Sequence, residues 1–150
     1  DIGHTDTKPT KRKGGFFVAG NEKWILLLTH GRLCEAILES ASMIAGTLDA
    51  VHTIPLVPGL SPERYLAEVE EVLEKAPAGS YIVTDIYGGT PCNIARMLLR
   101  KYDVQAFSGL SLAMLLELDS LRRETRPAES LAEELLSLSG KSQKYLNALL

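Results

Sequence analysis

Residues 24–31, WILLLTHG, decide the fold. From Trp24 to Leu28 the chain is apolar without alternation, and it then stops at Thr29, His30 and Gly31. A short unbroken apolar run ending on polar residues reads as a parallel strand buried on both faces, which carries His30 to its carboxyl end. A second run, YIVTDIYGGTP over residues 81–91, climbs in the same way to an acid, Asp85, and continues through Gly88 and Gly89 to a Thr90-Pro91 helix start. In open α/β sheets, ligands and chemistry sit beyond the carboxyl ends of the strands. If these two strands lie close together, a histidine, a carboxylate and a helix N-terminus meet on one rim.

Outward from this pair the chain alternates strand and helix. Leu33, Ile37, Ala41, Ile44 and Leu48 recur at helical spacing, with Gly46 weakening the end of that helix. Residues 51–57, VHTIPLV, are a β-branched strand whose Pro55 removes a ladder donor and hints at a sheet edge or a strand end. Ser61-Pro62 is an N-cap followed by proline at the first helical position, and Tyr65, Leu66, Val69, Val72 and Leu73 supply a buried stripe behind an acidic outer face. The Thr90-Pro91 helix turns Ile94, Met97 and Leu98 inward. A strand over residues 103–108 precedes a leucine-rich helix, Leu110 to Leu118. Arg122, Arg123 and Arg126 with Pro127 read as a solvated, charged hinge. Ser130 and Glu133 match a capping box for a last helix that ends at Gly140. The tail KYLNALL suits helix and strand equally. Strands thus begin near residues 24, 51, 80 and 103, a spacing of βαβ units with right-handed crossovers. The expected architecture is α/β, a doubly wound open sheet of four parallel strands with helices on both faces.

A chain of 150 residues suffices for one domain with its own core. Residues 1–23 show no period and hold five Lys or Arg against three acids, so the rest of the chain carries a net charge of −5. We read 1–23, including His4, as a flexible extension or cloning remnant and 24–150 as the domain. The acidic balance disfavours nucleic acid as a partner. Cys34 and Cys92 are too few for a disulfide framework or a zinc motif. No apolar run approaches about 18 residues, and no signal-peptide block opens the chain, so a cytoplasmic location is expected.

An imidazole beside an acid at a strand end can be a general base, a metal ligand or a phosphoryl acceptor, and a lone histidine in a loop is ordinarily only hydrogen-bonded. Three features favour phosphate chemistry. Gly31 leaves room for a tetrahedral group and opens a helix whose first amides favour an anion. Asp85 can take a proton from one ring nitrogen and leave the other as nucleophile. Gly88, Gly89 and Thr90 place amides, a hydroxyl and a second helix N-terminus where phosphate could rest. Competing chemistries lack parts: His52 has no helper residues for zinc, and nucleophile elbow, Walker loop and dinucleotide fingerprint are all missing. Neither a metal nor another cofactor is expected, and Cys92 reads as a small packed residue.

LLLTHG and TDIYGGTPCN, together with VPG at 57–59 and the later Ser-Gly-Leu with Met114, Leu115 and Glu117, resemble the enzyme IIA component of the mannose, fructose and sorbose family of the bacterial phosphotransferase system (PTS). The similarity runs from about Trp24 to the C-terminus. It implies that His30 accepts a phosphoryl group from the phosphocarrier HPr and passes it to a cognate enzyme IIB for sugar uptake, with Asp85 assisting and membrane permease components engaged only indirectly. Gly31, Gly88, Gly89 and Thr90 would form the phosphate cradle. It also implies a homodimer in which KYLNALL is an edge strand exchanged with the partner. Two positions depart from the family pattern: Ile86 stands where Thr is frequent, and Ser111-Leu112-Ala113-Met114 lacks the usual proline. The alternatives are the phosphotransfer subunit of dihydroxyacetone kinase and an enzyme-IIA-like regulatory module that is phosphorylated without transferring.

Overall fold

The structure is a computed structural model that describes residues 9–12, 15–18 and 22–150. Strands β1 (Pro9–Arg12) and β2 (Gly15–Val18) pair antiparallel as a short hairpin, with Pro9 opposite Val18 and Arg12 opposite Gly15. His4 and Lys8 lie outside the described residues. The main body then runs β3 (Ile25–His30), α1 (Leu33–Ala45), β4 (Val51–Leu56), α2 (Pro62–Leu73), β5 (Ser80–Thr84), α3 (Thr90–Leu98), β6 (Val104–Ser108), α4 (Leu112–Leu121) and α5 (Ala128–Gly140).

The second sheet has the order β4-β3-β5-β6, and every pairing in it is parallel. From β3 the chain moves to one side to make β4, then crosses back over β3 to lay down β5 and β6 on the other side. Right-handed crossovers in opposite directions must place their helices on opposite faces. The core divides accordingly. Ile25, Leu27, Tyr81 and Val83 pack against α1, α4 and α5 on one face. Leu26, Leu28, Ile54 and Ile82 pack against α2 and α3 on the other. Successive side chains of β3 alternate between the two faces, so its uninterrupted apolar run fills both cores at once, as a central parallel strand requires. The direction reverses between β3 and β5, and the crevice opened there at their carboxyl ends lies beside His30 and Asp85.

Several local expectations hold in detail. Pro55 sits on β4, an edge strand, and Ser61 caps α2 by accepting from the Arg64 amide at 3.2 Å. Others need correction. In α1 the buried stripe is rotated by one residue: Cys34 and Ala41 are buried with Ile37 and Leu38 packed beside them, while Leu33 and Ile44 are exposed. Leu48 reaches the core from the loop after Gly46, which ends α1 with φ 79°. In α3 the stripe is Ile94, Ala95 and Leu98, which turns Met97 to solvent. There is no capping box at Ser130. Helix α5 starts earlier, at Ala128 behind Pro127, and the Ser130 hydroxyl accepts instead from Arg126 at 2.8 Å. The tail, which suits helix and strand equally and which the resemblance makes an exchanged edge strand, forms a 3-10 turn at Leu146–Leu149 in the single chain.

The arginine hinge is the largest correction, because Arg122 is buried. Its guanidinium donates to the carbonyls of Lys23 (2.8 Å), Asp49 (2.5 Å) and Ala50 (3.4 Å) and to Asp119 Oδ1 (2.8 Å), and it pairs with Glu22 Oε2 at 2.9 Å. Arg123 pairs with both Glu22 and Asp119. Ala50, with left-handed backbone at φ 56°, also accepts from the Ile25 amide, so this arginine ties the start of β3, the α1–β4 turn and the end of α4 together. Burial lowers the Arg122 pKa while Asp119 and Glu22 oppose it, and arginine stays charged at neutral pH in any case. Replacing one partner of a buried ionic cluster strands the others. Arg122→Met should therefore cost about 3–5 kcal/mol, measured as a fall in the urea midpoint; an unchanged midpoint would show that the cluster adds nothing.

Candidate functional site

Pairing of Leu28 with Thr84 sets the ends of β3 and β5 level, so the residues that follow, His30 and Asp85, face each other across the crevice. One oxygen of Asp85 takes both contacts. Oδ2 accepts from the His30 backbone amide at 2.7 Å and meets ring Nδ1 at 2.7 Å, while Oδ1 accepts from the Ile86 amide at 2.8 Å. The carboxylate side chain is only 9% exposed and the imidazole 50%. Burial alone would raise the Asp85 pKa, but the hydrogen bonds from the His30 amide and ring and from Ile86 outweigh it and hold the group below the usual carboxylate range. An ionised carboxylate only accepts, so Nδ1 carries a proton, and in the neutral ring the lone pair is on Nε2. The acid is fixed from behind as well: the Gly109 amide donates to the Asp85 carbonyl at 3.1 Å and the Leu110 amide to the Thr84 carbonyl at 2.9 Å.

Gly89 lies against the ring. A methyl group there would come within 2.7 Å of His30 Cε1 and 3.3 Å of Nε2, so this glycine is required for space; its φ of −80° suits any residue. Gly88 is required for conformation, with φ 91°. Gly89 is the N-cap of α3, whose first intrahelical donor is the Asn93 amide, bonded to the Gly89 carbonyl at 2.9 Å. The amides before it, with the positive end of the helix dipole, adjoin the Nε2 edge of the imidazole, the environment an anion seeks. Thr90 is the first residue of this helix.

Gly31 contributes a turn. Its φ is 57°, a methyl group on it would meet nothing within 4 Å, and its amide is taken by the Leu56 carbonyl at 2.7 Å. Arg32, next along, points to Glu35 at 3.1 Å. His52 belongs elsewhere: it pairs with Leu26 and stacks on Trp24 at 4.1 Å, away from His30. Among the described residues, no group of three or more His, Cys, Asp or Glu side chains could hold a metal. Sequence reading missed the Leu56 carbonyl and the Gly109 amide, because backbone partners 24 or 25 positions away leave no mark on residue type. The one signal available was Gly109 itself, whose φ of 92° explains a glycine directly after a strand.

Comparisons with known proteins bear on the family and the fold. A family model described as PTS system fructose IIA component matches residues 24–136. The chain is 31% identical over 96 residues to the PTS system mannose-specific EIIAB component of Escherichia coli, covering 62% of this chain and 30% of that protein. It is 30% identical over 95 residues to the PTS system sorbose-specific EIIA component of Lacticaseibacillus casei, covering 62% of this chain and 69% of that one. The chain thus spans about a third of the length of the EIIAB relatives. Among solved structures, the mannose/sorbose specific IIA subunit from Enterococcus faecalis superposes with a TM-score of 0.74 at 26% identity, over 82% of this chain and 93% of the other. A phosphotransferase system component EIIA from Streptococcus agalactiae shares the fold with a TM-score of 0.76 at 24% identity, over 83% and 98%. With a family model matched over residues 24–136, the chain belongs to the PTS fructose IIA component family.

Proposed function

We propose that this chain is a phosphohistidine carrier of sugar uptake, in which His30 Nε2 accepts a phosphoryl group from HPr and yields it to a cognate enzyme IIB. The observation that carries the reading is the shared Asp85 oxygen: by taking the Nδ1 proton's hydrogen bond it puts the lone pair of the neutral ring on Nε2, at a half-exposed imidazole beside Gly89, the N-cap of α3. In the loading step the Nε2 lone pair forms a bond to phosphorus as the donor's P–N bond breaks. The electron pair of that bond returns to the donor nitrogen, while Nδ1 keeps its proton, hydrogen-bonded to Asp85, whose negative charge offsets the positive charge the ring gains. The dianion rests at the Gly88-Gly89-Thr90 turn, whose amides and dipole offset its charge. In the unloading step an enzyme IIB nucleophile takes the same phosphorus and the pair returns to Nε2.

Such transfer needs placement and electrostatics more than a deep pocket. Ile86 and Tyr87, exposed beside Asp85, leave the histidine open to a partner protein. Ile86 supplies no hydroxyl, so Thr90 is the residue with a side-chain oxygen for the phosphoryl group in this turn. The carrier works in the cytoplasm, where HPr is available, and as a homodimer: the exposed apolar side chains of Tyr145, Leu146, Leu149 and Leu150 support exchange of the tail with a second copy.

Incubation with phosphoenolpyruvate, enzyme I and HPr should place acid-labile phosphate on His30, and adding enzyme IIB should remove it. Label that never leaves would favour a sensor over a carrier. His30→Ala should take up no label by mass spectrometry, and retained label would move the site elsewhere. Asp85→Asn, which keeps the shape but loses the ionised acceptor, should slow loading about 10- to 100-fold, read by rapid quench; a wild-type rate removes Asp85 from the mechanism. Gly89→Ala should displace the ring and lower the loading rate by a similar factor with little change in melting temperature. Full activity in that variant would show that the close approach is not needed.

A further inference from the structure

Thr29 precedes the reactive histidine, and its alternation along β3 points it into the same core as Ile25 and Leu27, where an apolar side chain would be expected. It is fully buried. Its hydroxyl is engaged on both sides of its polarity: Oγ1 donates to the Gly31 carbonyl at 3.1 Å and accepts from the Cys34 amide at 3.0 Å. The hydroxyl therefore spans His30, from the residue before it to the residue after it, and links that loop to the first turn of α1. Helix α1 begins behind Arg32, which provides no side-chain cap, so Thr29 satisfies one of its leading amides from outside the helix.

We propose that Thr29 is a positioning residue for phosphoryl transfer: its buried hydroxyl, clamped between the Gly31 carbonyl and the Cys34 amide, sets the backbone on either side of His30 so that Nε2 faces the α3 N-terminus. This rests on the carrier reading. Three fixed points define the backbone around His30: its own amide on Asp85, the Gly31 amide on the Leu56 carbonyl, and the Thr29 hydroxyl across the turn. The first two hold single atoms in place. The third determines the angle between β3 and the left-handed Gly31, because it closes a ring through Thr29, His30 and Gly31. Without it the Gly31 carbonyl is free to swing, and the imidazole swings with the backbone. Displacement of a reacting atom by about 1 Å can cost on the order of 100-fold in rate. The ring has little slack, since Gly89 already leaves no room for a methyl group beside it.

The test compares Thr29→Val, which keeps the volume and branching and loses only the hydroxyl, with Thr29→Ser, which keeps the hydroxyl. Val69→Ala, in the α2 core remote from the site, serves as a destabilised control. Loading of His30 from phospho-HPr is followed by rapid quench, and the tautomer of His30 is read by ring nitrogen-15 NMR in the unphosphorylated protein. The expected result is loading slowed about 10- to 100-fold in Thr29→Val, with its His30 resonances shifted towards a mixture of tautomers, and wild-type behaviour on both counts in Thr29→Ser. If Thr29→Val loads as fast as the Val69→Ala control, or keeps the wild-type tautomer, Thr29 is only a structural cap and the proposal is overturned. If Thr29→Val does not fold, a loss of loading in Thr29→Ser with its fold intact overturns it equally. Absence of label on the wild-type protein would instead defeat the carrier reading and is read separately, before any variant.

Discussion

A single carboxylate oxygen organises the site. Asp85 Oδ2 accepts from the backbone of His30 and from its ring, so the contact that fixes where the chain turns also fixes which nitrogen is protonated. Two bonds to one atom, each 2.7 Å, together with the Ile86 amide on Oδ1, outweigh the cost of burying most of the acid. The arrangement depends on β3 and β5 being neighbours, which the chain achieves by building β4 first and then crossing back. The reversal of direction between these strands leaves the crevice, and the twin cores on either side of β3 keep it in register.

At the other end of β3 stands a second polar centre. The Arg122 cluster receives carbonyls from the segment before β3 and from the α1–β4 turn, so the strand is anchored where it begins as well as where it ends. Between the two lie the aliphatic side chains of Ile25 to Leu28 and the buried hydroxyl of Thr29. Buried ionic clusters contribute less to net stability than to uniqueness of register, and here a slip of β3 by one residue would exchange its two cores and withdraw the histidine from the rim.

Much of this was legible in the residues. Apolar runs that stop abruptly at Thr-His-Gly and at Asp-x-x-Gly-Gly mark strand ends, and strand ends in a parallel sheet share a rim, so His30 and Asp85 were identifiable before any coordinates. The four strands followed from the same logic, while Pro55 left β4 open between a sheet edge and a strand end, and the structure places it at the edge. What failed was orientation about helix axes and the meaning of isolated charges. Ile44 and Met97 satisfied a spacing rule yet face solvent, because adjacent residues fill the sheet-facing groove better. Arg122 sits among arginines that resemble a solvated run, and its burial follows from carbonyls about 70 and 100 positions upstream. Ser130 fits a capping pattern, but Pro127, with its preset φ, nucleates the helix sooner. Patterns of residue type report periodicity well and distant backbone acceptors not at all.

The double duty of Asp85 Oδ2 has a spectroscopic corollary. Attaching a phosphoryl group to the far nitrogen makes the remaining ring N–H more acidic and draws the shared oxygen towards it. The backbone amide of residue 30 competes for that oxygen, so its bond must lengthen as the ring's shortens. On the proposed function, the proton on that amide is a built-in gauge of whether the carrier is full or empty, readable without any label on the imidazole.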